Sequence, residues 1–270
     1  MDQTFQLPEP IETFLATALP RMRSEPTLAG VAAGGSFIEK RLDPYSDIDL
    51  VVVAKDAAYA ELFERRFQFA EELGDLVNAF TGEHVGEPRL LICLYGDHPL
   101  HVDLKFVNLT DFTDRVEDPV ILWERDGLLS ETVAAHPGRF PPYDAEWVEA
   151  RIWTWVHYGA TKLGRGEFFE VLDMLAFLRV QVLGPLSKVV DGQLPRGVRR
   201  LEQDQPDRVA AFLTTVPTSV TFDDLAESLS SAADLYAALR AKLTVAPTNM
   251  RERPERVART YLARIRREHA

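Results

Sequence analysis

The sequence is short of several things, and each scarcity excludes a class of protein. One cysteine, Cys93, stands among 270 residues, so there is neither a disulfide framework nor a cysteine-based zinc site. No stretch approaches the roughly 20 apolar residues that cross a bilayer, so no membrane helix is expected. The opening MDQTFQLPEPIETF is acidic and holds no apolar signal core, so no secretory signal is expected, and a reducing cytoplasm is the expected location. Basic residues are few: 30 Lys and Arg stand against 42 Asp and Glu, a formal charge of −12. Such a chain is a poor candidate for wrapping long nucleic acid, which needs a basic face. Internal repeats and low-complexity tracts are also missing. The rest is ordinary for one or two globular domains, with 46% hydrophobic and 27% charged residues.

The charge is unevenly spread. Residues 1–140 carry 25 acidic and 12 basic side chains, whereas residues 141–270 carry 17 and 18. The asymmetry suggests two parts with different tasks, the first suited to cations, either metal ions or a cationic substrate. The stretch His136-Pro137-Gly138-Arg139-Phe140-Pro141-Pro142-Tyr143 falls at the same place. Its prolines break regular structure and read as a linker, dividing the chain into domains 1–140 and 141–270.

Apolar spacing predicts a short helix over 11–19 bounded by prolines, and buried strands over 27–33 and 48–54. A helix is predicted over 59–80, then strands over 89–95 and 100–107 joined by the hairpin turn Gly96-Asp97-His98-Pro99. Beyond the linker, helices are predicted over 145–163, 167–183 (ended by Pro185), 209–213, 222–243 and 256–267, a bundle. Cys93 lies inside an apolar strand and reads as a small core residue.

The chemistry concentrates in one segment. A buried strand runs into Gly34-Gly35-Ser36, ten residues intervene, and Asp47 and Asp49 open the next strand. Positions i and i+2 of a strand share a face, so the two carboxylates converge while Ile48 and Leu50 turn to the core. Paired carboxylates repel unless neutralised, and their oxygens suit Mg²⁺. The glycines let backbone approach a ligand closely. A glycine turn beside a metal-binding carboxylate pair suits phosphoryl or nucleotidyl transfer. Asp103, within the apolar strand Leu100-His101-Val102-Asp103-Leu104-Lys105-Phe106, is the candidate third carboxylate, since an acid there is costly unless paired or metal-bound. His101 and Lys105 share its face, and an ion pair with Lys105 is the alternative reading.

Gly-Ser, a spacer of about ten, Asp-x-Asp and a later Asp in a hydrophobic strand resemble the nucleotidyltransferase superfamily of DNA polymerase beta. The matching residues are Gly35, Ser36, Asp47, Asp49 and Asp103, and the resemblance covers roughly residues 27–107. It implies an α+β fold: a small mixed β-sheet with flanking helices, followed by an α-helical bundle domain. It implies Asp47 and Asp49 as Mg²⁺ ligands, Asp103 as a further ligand or as general base on the attacking hydroxyl, and Gly35 and Ser36 as holders of the nucleoside triphosphate. In the second part, Lys162-x-x-Arg165-Gly166-Glu167 is similar to the helical domain of aminoglycoside adenylyltransferases, which implies that Lys162, and with it Arg165, reaches the triphosphate. The activity implied is Mg²⁺-dependent transfer of AMP from ATP to a hydroxyl of a small cationic acceptor such as an aminoglycoside, with release of pyrophosphate. A protein or tRNA acceptor and a non-catalytic nucleotide-binding module are the alternatives. The acidity argues against tRNA, the large helical part against the minimal protein-modifying toxins, and the three carboxylates against a module without activity.

Overall fold

A computed structural model describes residues 6–269 and divides them into two compact units, one ending at Phe140 and one beginning at Pro141. The first unit runs α1 (Glu9–Ser24), β1 (Leu28–Ala33), α2 (Ser36–Glu39), β2 (Ile48–Ala54), α3 (Tyr59–Glu64), α4 (Arg66–Glu71), β3 (Leu76–Gly82), β4 (Glu87–Tyr95), β5 (Leu100–Asn108), β6 (Val120–Glu124) and α5 (Leu128–Ala135). The strands make one six-stranded mixed sheet in the order β3-β4-β5-β2-β1-β6. β2 and β5 are parallel, and the other pairs are antiparallel. This is an α+β architecture.

Alternation along the strands separates two faces. Ile48, Leu50, Val52 and Ala54 of β2 and Val102, Leu104 and Phe106 of β5 are buried in the larger core with α1, α3 and α4. Val53 and Val107, near the ends of the same strands, turn the other way into a smaller core with Leu129 of α5. Asp49 and Asp103 have the parity of that second face but lie toward the opposite end of their strands.

α1 extends beyond its expected end, through Pro20 to Ser24. A proline inside a helix costs about 3 kcal/mol. Here the buried stripe Ile11, Phe14, Leu15, Ala18 and Met22 continues past it and offsets that cost. The expected helix over 59–80 is instead two short helices and β3. Gly74 and Asp75 break the helical spacing, and residues 76–82 pair with β4. β6 and α5 lie in a region for which the sequence predicted no element.

The second unit is helical: α6 (Ala145–Glu149), α7 (Ile152–Gly164), α8 (Phe168–Leu178), a π-helical turn (Arg179–Leu183), α9 (Gly184–Val190), α10 (Leu201–Asp204), α11 (Pro206–Leu213), α12 (Phe222–Arg240) and α13 (Glu252–Glu268). Its core is its own, built around Trp153, Val156, Leu175, Leu229, Tyr236 and Leu262. Pro185 does not end the helical run. It sits in the first turn of α9, where a missing N–H is harmless, and the wide π turn before it absorbs the interruption. Between α5 and α6, residues 136–144 form no helix or strand, and this stretch is pinned at its start to the first unit. Gly138 N donates to Asp118 Oδ1 (2.8 Å), and Arg139 N donates to Arg115 O (2.9 Å).

Candidate active site

The first unit brings five of the seven predicted site residues to one region: Gly35, Ser36, Asp47, Asp49 and Asp103. β1 ends at Ala33, and the chain turns at once. Gly34 N donates to Asp49 O (2.9 Å), which ties the turn to the carboxylate strand. Gly35 has φ 53° and ψ −127°, a conformation that side chains other than hydrogen rarely adopt. A Cβ on Gly35 would overlap Asp49 Oδ2. Glycine is therefore required both by the backbone and by the approach of a carboxylate. Ser36 opens α2, a single turn buttressed by buried Phe37.

The ten-residue spacer is used to fold a tight loop. Tyr45 N donates to Asp43 Oδ1 (2.9 Å), Asp43 N donates to Ser46 Oγ (2.9 Å), and Ser46 N donates to Asp43 O (3.0 Å). Asp43 thus serves the turn, and the loop delivers Asp47 at the foot of β2. The parallel register then sets Asp49 directly beside Asp103, with Ile48 beside Val102 and Leu50 beside Leu104. The apolar neighbours are buried, while Asp47, Asp49 and Asp103 are each half-buried.

His101 Nε2 lies 2.9 Å from Asp103 Oδ1. Burial pushes the Asp103 carboxyl above its ordinary value. His101 partly offsets this, and the charge of Asp47 adds to it. The expected alternative partner is occupied elsewhere: Lys105 Nζ binds Glu87 Oε2 (2.8 Å), and Arg89 Nε binds the other oxygen of that carboxylate, Oε1 (2.8 Å). Asp103 is therefore not the surface partner of Lys105. Beside Asp47 opens a cavity of about 540 Å³, lined by Pro44, Ser46, His98, Pro99 and His101 among others. Cys93, buried in β4, takes no part, and burial pushes its thiol up to about 12.

Among the described residues, no three His, Cys, Asp or Glu side chains stand close enough together to form a ready-made metal site. The donor set nevertheless fits a hard cation. Asp49 and Asp103 place oxygens on one face of adjacent strands, Asp47 acts on Asp103 as a like charge, and the Gly35 turn, having no Cβ, lets the Asp49 carboxylate pack against it.

Lys162 and Arg165 belong to the second unit, at the α7–α8 turn. Lys162 Nζ binds Glu167 Oε2 (2.6 Å) and lies 3.7 Å from Glu170 Oε2, and Arg165 Nε binds Glu167 Oε1 (2.5 Å). Within that unit the Lys-x-x-Arg-Gly-Glu segment is a local ion cluster around Glu167. Sequence reasoning missed the sheet surface beyond Asp103, because the strand that completes it, β3, was read as helix.

Residues 15–86 match the family model described as the nucleotidyltransferase domain. No curated protein matches the chain. Among solved structures it is similar to an aminoglycoside 6-adenyltransferase from Bacillus subtilis, at 11% identity and TM-score 0.41, over 93% of this chain and 97% of that one. It is also similar to a nucleotidyltransferase-like protein from Exiguobacterium sibiricum 255-15, at 16% identity and TM-score 0.38, over 96% of this chain and 80% of that one.

Proposed function

The chain carries a nucleotidyltransferase domain, and from that premise we propose that it transfers a nucleoside monophosphate, AMP from ATP, to a hydroxyl of a small cationic acceptor and releases pyrophosphate. The observation that carries this reading is the in-register pair Asp49 and Asp103 beside a turn where only glycine fits. In it, Asp47 and Asp49 hold Mg²⁺, with Asp103 as a further ligand. The ion, when bound, neutralises phosphate charge and favours the departure of pyrophosphate.

The protein's own groups do the rest. Gly35 and Ser36 present backbone and hydroxyl to the triphosphate, close to the carboxylates. Asp103 orients the acceptor hydroxyl and takes its proton as the acceptor oxygen bonds to the α-phosphorus and the bond from that phosphorus to the bridging oxygen breaks. Most of the rate in this chemistry comes from positioning and electrostatics. The acidity of residues 1–140 supports a cationic acceptor, because opposite charge raises encounter rate. An aminoglycoside is the acceptor class we favour. Among the described residues, no helix is long and apolar enough to cross a membrane.

Pyrophosphate release from ATP with Mg²⁺, measured across a panel of aminoglycosides, tests the proposal. Release that depends on one compound and disappears in Asp47→Ala supports it. Mg²⁺-dependent ATP binding without release in any combination would remove the aminoglycoside acceptor.

A further inference from the structure

The register of four strands draws a single line across the open sheet face. Asp49 of β2 stands beside Asp103 of β5, Asp103 opposite Ile92 of β4, and Ile92 opposite Phe80 of β3. The neighbouring row reads His101, Leu94, Asn78. Residues directly opposite one another share a face, so the carboxylates continue without a step into an apolar strip.

That strip has no partner in either core of the first unit. Leu91, Cys93 and Tyr95 of β4 are buried in the larger core, while the alternate residues Ile92 and Leu94 are half-buried and belong to neither cluster. Phe80 is 46% exposed. The Phe80 ring packs on one side against His84 (centroids 5.7 Å) and otherwise faces water at the end of a row that starts with two carboxylates, which makes the row an amphipathic surface and not a scattered apolar residue.

We propose that this row is the acceptor platform of the transferase, with Phe80, Ile92 and Leu94 as its specificity-determining floor. The inference rests on the nucleotidyl-transfer reading. The occupant it commits to is a ring-bearing polyamine: one hydroxyl at Asp103, an apolar ring face over Ile92 and Leu94, and a further ammonium over the Phe80 ring. Strands lie about 4.8 Å apart, so Phe80 stands roughly 10 Å from Asp103, the span of two linked rings. Charge supports the same occupant. The platform begins at carboxylates in a part of the chain with 25 acidic and 12 basic residues, and an aromatic face attracts a cation. A linear polyamine has no ring to lay on the apolar strip and binds less well.

The test is titration calorimetry with neomycin as probe and spermine as the ringless control. Both are added in the presence of Mg²⁺ and a non-hydrolysable ATP analogue. Neomycin is expected to bind the wild type more tightly than spermine, to bind Phe80→Ser about tenfold more weakly, and to regain affinity in Phe80→Trp. Val85→Ser removes an exposed apolar side chain outside the row and is expected to change nothing. Melting curves confirm that the variants are folded. Equal neomycin affinity in wild type and Phe80→Ser, an equal loss in Val85→Ser, or no neomycin binding to the wild type overturns the platform. Failure of the underlying reading looks different: the ATP analogue with Mg²⁺ then fails to bind, or binds Asp49→Asn as well as wild type.

Discussion

Gly35 joins two constraints that are usually separate. Its positive φ excludes most side chains, and the Asp49 carboxylate occupies the space a Cβ would need. Gly35→Ala is therefore expected to displace Asp49 as well as strain the turn, lowering the melting temperature by several degrees and activity by at least a hundredfold. Asp49→Asn and Asp103→Asn remove charge while keeping shape. Each is expected to lower pyrophosphate release by a hundredfold or more with the melting curve unchanged or shifted upward, because a repelling carboxylate is gone. A structural role alone would move stability and spare turnover. Glu149 shows the opposite case. It is 1% exposed and accepts from Tyr236 Oη (2.5 Å), Arg240 Nη1 (2.9 Å) and Arg251 N (3.0 Å). Glu149→Ala removes the buried acceptor shared by Tyr236, Arg240 and Arg251, leaves Arg240 with Glu255 alone (3.0 Å), and is expected to cost about 3 kcal/mol by urea unfolding.

Elements explain what the sequence did and did not disclose. β2 was legible because an uninterrupted β-branched run leaves no other structure open, and its bounds agree with the expected 48–54. The carboxylate pattern was legible for a related reason: a period of two fixes which side chains share a face. β3 was not, since Leu73 and Val77 continue a helical spacing and only Gly74-Asp75 marks the break. The long-range demand of β4 for a partner decided it, and no local pattern reports that demand. With β3 hidden, Phe80 could not be placed on the face of Asp103. α1 makes the same point about proline. Its exposed Pro20 sits inside a helix held by burial on the other side. Pro20→Ala restores a backbone hydrogen bond and is expected to stabilise the first unit by about 1–3 kcal/mol, read as a raised melting temperature.

At the scale of the whole molecule, stability and charge both depend on pH in a definite direction. Glu25, 4% exposed at the end of α1, joins that helix to its neighbours. Burial pushes its carboxyl up, but hydrogen bonds from Arg65 (2.8 Å) and from Thr27 Oγ1 (2.7 Å) outweigh this and hold it down at about 2. A depressed carboxyl stabilises the folded state above its unfolded value near 4.5 and loses that contribution as pH falls toward 2. The difference corresponds to roughly 3 kcal/mol. Acid unfolding of wild type against Glu25→Gln is expected to show the two curves converging below about pH 3.

The lone parallel pair in the sheet has a consequence in time. Asp49 and Asp103 are neighbours in space yet 54 positions apart in the chain, and the intervening segment supplies α3, α4, β3 and β4. Parallel strands cannot close by a tight turn, so the pair forms only after that whole segment has collapsed and docked, at the entropic cost of a long loop. A chain emerging from denaturant would recover helical signal early, from the second unit's local contacts, and nucleotide-handling competence late. Under the proposed transfer, the geometry that places the carboxylates thus also acts as an assembly checkpoint, withholding chemistry from any molecule whose sheet is unfinished.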